Sequence, residues 1–220
     1  KRRITALRKR LLQWYADNGR RFPWRRANAS TYERICVEVL LQRTRASKVN
    51  QIYSSFFSTF PNWESIAHAE HEELEHELKP LGIWRRRAIA LKGMASYASE
   101  RSGRFPRSTP KLMNIPAVGH YVANAILLFQ HGEPRPLLDM NMARVLERYL
   151  RPRNLADIRY DPWLSAAANW LVRSRSMSVK TNWAVLDLAA TTCGPRSPKC
   201  TACPAQSLCN TGRRLTGARD

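Results

Sequence analysis

Four cysteines, Cys193, Cys200, Cys203 and Cys209, fall within 17 residues near the end of the chain. No other feature restricts the possible fold so strongly. Four thiols this close in sequence either share one inorganic centre or pair with each other. A structural zinc site usually takes two C-x2-C knuckles, each gripping the ion through a tight turn. Here the spacing is C-x6-C-x2-C-x5-C, so only the middle pair is a knuckle. Long outer arms suit a [4Fe-4S] cubane, whose corners face four directions. Zinc ligation and two disulfides are the alternative readings. The run Lys1-Arg2-Arg3 leads into no apolar secretion core, and no apolar stretch is long enough to span a bilayer. The expected setting is intracellular, the cytoplasm or nucleoid in a prokaryote, with no membrane partner and with disulfides disfavoured. The fifth cysteine, Cys36, lies among Tyr32, Ile35, Val39 and Leu40 at helical spacing and reads as a buried core thiol.

Charge limits the partner. The chain carries 37 Lys and Arg against 17 Asp and Glu, a formal net charge of +20. An ordered chain this basic calls for a polyanion. A membrane surface is the rival, but no basic helix with a bulky apolar face stands out. Hydrophobic residues make up 44% and there are seven tryptophans, enough for a real core.

The hydrophobic periodicity is helical throughout, and the expected fold class is all-α. Helices are predicted over 4–17, 31–46, 69–79, 85–101, 109–114, 120–131, 140–150 and 162–174. The 69–79 segment, with Glu70, Glu72, Glu73, Glu75 and Glu77, reads as a solvated face turned away from phosphates. Within 31–46, Glu38, Gln42 and Arg45 recur at helical spacing and are predicted to share one polar face. Breaks near 27–30 and 151–157 divide the chain into an inner domain, 28–150, and an outer one made of 1–27 and 151–220.

The inner region holds a second motif. Thr109-Pro110 is a helix start, and Ile115-Pro116-Ala117-Val118-Gly119 then breaks before a new helix at His120. This is a helix-hairpin-helix pattern. Its tight turn bares backbone N–H groups, and the second helix presents its positive end. Together they can hold a phosphate without reading sequence. Ala117, Val118, Gly119 and His120 are therefore candidate DNA-binding residues. An ordinary interhelical turn is the competing reading.

Taken in order, several motifs resemble the endonuclease III superfamily of DNA base-excision glycosylases. They are Phe22-Pro23-Trp24-Arg25, Glu38 through Thr44, the hairpin, Leu138 through Val145, and the four cysteines. The resemblance covers nearly the whole chain. It implies a six-helix barrel domain carrying the hairpin, a helical domain carrying a [4Fe-4S] cluster, and an active site between them. The implied partner is double-stranded DNA with a mismatched or damaged base, bound by a monomer.

The resemblance also implies roles. Asp139 matches the catalytic aspartate, which would offset the positive charge that develops on the sugar. Asn141 matches a supporting asparagine. From the residues alone, both can equally be capping groups of the 140–150 helix. Relatives that cut the DNA backbone carry a Schiff-base lysine two residues after the hairpin glycine. Here that residue is Tyr121, so the implied enzyme is monofunctional. Glu38 matches a base-pocket glutamate able to assist departure of the base. Gln42 matches a residue that fills the hole left by the extruded base, with Arg43 and Arg45 beside it. Trp84 falls where relatives insert a side chain into the duplex, and is otherwise a core tryptophan.

Glu38, Tyr121 and Asp139 together most resemble enzymes removing thymine or uracil opposite guanine. An adenine glycosylase is the alternative, although only 11 residues follow Cys209, too few for the extra domain expected there. A cluster-containing DNA-binding module without catalysis would not need Asp139 and Glu38 together. Ala117 stands where the hairpin usually has glycine, which puts the turn geometry in question.

Overall fold

In the computed structural model, residues 1–217 are described, and no strand occurs among them. The helices are α1 (Arg2–Asn18), α2 (Thr31–Leu40), α3 (Ala46–Thr59), α4 (Trp63–His68), α5 (His71–Leu78), α6 (Trp84–Ser99), α7 (Thr109–Met113), α8 (His120–Phe129), α9 (Met140–Tyr149), α10 (Pro162–Val172), α11 (Ser178–Thr191) and α12 (Asn210–Thr216). No helix among the described residues is long and apolar enough to cross a membrane. The chain forms two compact units, one of 1–20 with 132–220 and one of 21–131.

The 21–131 unit is built around α2. Ser30 starts that helix with a reciprocal cap. Its hydroxyl accepts from Glu33 N at 3.1 Å, while Glu33 Oε2 accepts from Ser30 N at 2.5 Å. Ile35, Cys36, Val37, Val39 and Leu40 are all buried, so α2 is apolar around most of its circumference and packs against α6 and α8. Cys36 is a core thiol, as its neighbours predict. Gly93 lets α6 approach the hairpin: a Cβ there would lie 2.9 Å from Pro116 Cβ.

The unit of both chain ends has its own core. Leu7 and Leu11 of α1 meet Met142, Ala143 and Leu146 of α9, Leu164 and Leu171 of α10, and Leu188 of α11. Each such leucine contributes roughly 1.5–3 kcal/mol on burial.

Two expectations change here. The boundaries fall at 20/21 and 131/132, not at 27/28 and 150/151. Helix α9 buries its apolar stripe in the core of the chain ends, and Trp24 buries in the other core, stacked on Phe22 with centroids 4.5 Å apart. The predicted 31–46 helix ends at Leu40, and a turn over 41–45 precedes α3. Arg43 in that turn has φ 55°, a left-handed conformation that no helix continues through. Helices α3, α4, α11 and α12 were not among those predicted. The apolar spacing Val49, Ile52, Tyr53, Phe56 is the signal that marks α3.

Candidate active site and nucleic-acid interface

Within the 21–131 unit, Glu38 does not share a polar face with Gln42 and Arg45. Glu38 is 3% exposed on α2, Gln42 is exposed in the turn, and Arg45 is the residue before α3. Burying a carboxylate costs several kcal/mol unless it is bonded. Tyr121, in the first turn of α8, donates its hydroxyl to Glu38 Oε2 at 2.6 Å. The structure thus brings two of the three candidate catalytic residues into direct contact across 83 positions of sequence.

The hairpin keeps its shape despite the missing glycine. Ala117 takes φ 63°, the left-handed region that glycine enters without strain. Ile115 and Val118 are buried and anchor the turn, with Val118 N donating to Ile115 O at 3.1 Å. Val118 therefore holds the turn from inside and presents no side chain to an incoming ligand. Gly119 stands at the N-cap of α8 without a capping side chain, and His120 is exposed beside it. A Cβ on Gly119 would meet nothing within 4 Å, so internal packing does not demand glycine there. The α8 terminus is open to an anion. Trp84 is half-buried against the core, whereas its neighbour Ile83 is 49% exposed.

In the other unit, Asp139 caps α9. Its Oδ1 accepts from Asn141 N and Met142 N, both at 2.9 Å, and Oδ2 accepts from Asn141 Nδ2 at 2.6 Å. The capping reading and the paired-side-chain reading both hold. Burial raises the Asp139 pKa above the usual carboxylate value. The bonds from Met142 and Asn141 and the charge of Arg144 pull the other way without cancelling it. Arg144 donates to Asn141 Oδ1 at 3.0 Å, to the Ala189 carbonyl at 3.1 Å and to the Cys193 carbonyl at 2.9 Å. A hydrogen-bonded chain therefore runs from Asp139 through Asn141 and Arg144 to the first cysteine. Arg144 lay within the recognised stretch but carried no expected role. Its position one turn after Asn141 was the available signal.

The four cysteines line one pocket with Arg148, Thr192, Lys199 and Gly212. None is in a disulfide. Short 3-10 turns at Cys200–Ala202 and Gln206–Leu208 fold the loop back so that its thiols face inward. Burial foremost, then the charges of Cys193, Cys209 and Cys200, push the Cys203 thiol up to about 11. Arg148 donates to Cys193 Sγ at 3.4 Å, and Gly212 N donates to Cys209 Sγ at 3.3 Å. Among the described residues, no group of three or more His, Cys, Asp and Glu is gathered closely enough to hold a metal ion.

Residues 36–158 match the HhH-GPD superfamily base excision DNA repair protein family. The chain is 38% identical over 213 residues to the thymine-DNA glycosylase of Aeropyrum pernix, covering 95% of each chain. It is 33% identical to the thymine/uracil-DNA glycosylase of Pyrobaculum aerophilum, covering 93% of this chain and 91% of the relative. The solved structure of a thermostable thymine-DNA glycosylase superposes with a TM-score of 0.86 at 29% identity, over 97% of this chain and 98% of that one.

Proposed function

We propose a specific reaction for this chain, which belongs to the HhH-GPD superfamily of base excision DNA repair proteins. It hydrolyses the N-glycosidic bond of thymine or uracil opposite guanine in duplex DNA and leaves the backbone uncut. The observation that carries the reading is Tyr121: a phenol bonded to Glu38 at 2.6 Å stands where a backbone-cutting relative needs an amine. A phenol forms no Schiff base with C1′, so water must complete the reaction. The similarity to thymine and thymine/uracil glycosylases over nearly the whole chain supports the choice of base.

The chemistry divides between the residues. Cleavage leaves positive charge on the sugar, and the Asp139 carboxylate offsets it. Asn141 and the first amides of α9 hold that carboxylate in one orientation. Glu38 hydrogen-bonds the departing base or a water, and Tyr121 fixes which of its oxygens is used. The α8 terminus at Gly119 and His120 binds backbone phosphate, and the +20 charge supplies the sequence-independent attraction. A poorly paired T·G or U·G costs less to unstack than a matched pair, which aids selection. Cys193, Cys200, Cys203 and Cys209 would hold a [4Fe-4S] cluster, which braces the fold when all four corners are ligated.

The test is a set of duplexes carrying T·G, U·G, A·G or A·8-oxoguanine, incubated with the chain and analysed with and without alkali. Strand breaks are expected for T·G and U·G only, and only after alkali. Borohydride is expected to trap no covalent complex, and Tyr121→Lys to gain trapping. Excision of adenine alone would reject the assigned base. Efficient trapping by the wild-type chain would reject the hydrolytic route.

A further inference from the structure

We infer that Arg87 is a positioning residue that locks two exposed turns, Gln42–Arg45 and Gly82–Ile83, into one preformed edge for opening a duplex. The opening role rests on the proposed glycosylase reading; the locking role does not.

Arg87 lies in the first turn of α6 and is 3% exposed. A buried guanidinium is normally matched by a carboxylate. Among the described residues none pairs with it, and burial lowers its pKa. Its partners are neutral: the Gly82 carbonyl at 2.5 Å, the Gln42 carbonyl at 2.8 Å and the Thr44 hydroxyl at 2.9 Å. Thr44 Oγ1 donates onward to the Leu81 carbonyl at 3.2 Å. One planar group thus ties together two turns that lie about 40 positions apart in sequence.

Both turns are strained. Arg43 has φ 55° and Ile83 has φ 44°, and neither is a glycine. For a β-branched residue this conformation is a true outlier, costing about 1–2 kcal/mol. Such strain persists only where surrounding contacts over-determine the backbone, and Arg87 supplies those contacts. An apolar side chain at 87 would fill the same space without burying a charge, so stability alone does not call for this arrangement.

The exposed groups suggest what the arrangement serves. Ile83 is 49% exposed, and Gln42, Arg43, Arg45, Arg85 and Arg86 are exposed around the same two turns. An apolar side chain on a rigid tip, with cations for the flanking phosphates, suits a wedge between base steps. A wedge that must push bases apart cannot itself give way. Fixing both turns beforehand removes the ordering cost from the binding step.

Two measurements on the full chain test the inference. The first needs no substrate: amide hydrogen exchange of wild type, Arg87→Met and Thr44→Val. Thr44 N bonds to Leu41 O and Gly82 N to Lys79 O, so these amides report on one turn each. Both should exchange about tenfold faster or more in either variant, while α2 and α8 change by less than about twofold. Acceleration of one turn alone, or of the whole unit equally, overturns the locking role. If Arg87→Met does not fold, Thr44→Val decides.

The second measurement uses a U·G duplex with 2-aminopurine beside the mismatch. The stopped-flow brightening rate should fall about tenfold or more in Arg87→Met, with affinity for undamaged duplex held within about threefold. Arg87→Lys should recover part of the rate. Unchanged brightening, or equal loss of brightening and affinity, overturns the opening role. A wild-type chain that neither brightens nor excises this duplex rejects the glycosylase reading instead, and the exchange result still decides the locking role.

Discussion

Replacing Asp139 by asparagine separates what this carboxylate does for the reaction from what it does for the fold. The amide keeps Oδ1, and with it both capping bonds from Asn141 N and Met142 N at 2.9 Å. It loses the second acceptor, so two NH2 groups face each other where Asn141 Nδ2 stood 2.6 Å from Oδ2. Asn141 cannot turn over without giving up its bond from Arg144 at 3.0 Å. That loss costs about 1 kcal/mol. Against it stands the burial that raises the Asp139 pKa, a cost that vanishes with the charge. The sign follows from that direction. A carboxyl with a raised folded pKa adds stability below its unfolded value, about 3.9, and loses it as pH rises through the folded value. The stability of wild type relative to Asp139→Asn should therefore fall as pH rises from about 4 through the folded value, measured by denaturant unfolding. Single-turnover excision should drop about 10²-fold or more, equal to about 2.7 kcal/mol of barrier, because a neutral amide cannot offset the sugar charge. A stability difference that stays flat or rises with pH would refute the burial argument. An excision rate within about tenfold of wild type would remove Asp139 from its role.

Ala117→Gly should stabilise the chain by about 0.5–1 kcal/mol, since relief of a left-handed alanine outweighs the added freedom of the unfolded chain; a lower denaturation midpoint would contradict this. Gly119→Asp should weaken binding to matched and mismatched duplex alike and flatten the salt dependence, because it sets an anion at the open end of α8; loss confined to one mismatch would assign the turn to base recognition. Purified wild type should carry about four iron atoms per chain, and Cys203→Ser should lose them along with folded yield. A colourless, active wild-type chain holding zinc would overturn the assignment of the cysteines.

The parts of the site legible in the sequence are those that short segments encode. The hairpin turn, the Asp139 cap and the cysteine loop each close within a few residues or within one loop, so spacing alone exposes them. What the sequence hid depends on a distant partner. Nothing in Leu41-Gln42-Arg43-Thr44 breaks a helix, yet α2 stops at Leu40, Arg43 turns to φ 55°, and the Gln42 carbonyl accepts from Arg87, 45 positions on. Without that partner, helical spacing placed Glu38 on a polar face with Gln42 and Arg45. The sequence did hold a counter-signal. Ile35, Cys36, Val37, Val39 and Leu40 surround Glu38 with apolar residues, so a solvated face there was never available. An acid in that run has to find a donor inside the core, and a tyrosine in the first turn of a neighbouring buried helix can supply it. The residue that departs from the lysine pattern, Tyr121, is the same one that satisfies the buried acid. A lysine at 121 would exchange a short hydroxyl contact for a buried ion pair with Glu38. The change that restores an amine to the site therefore alters the base-pocket carboxylate as well, and trapping and excision should respond together in Tyr121→Lys.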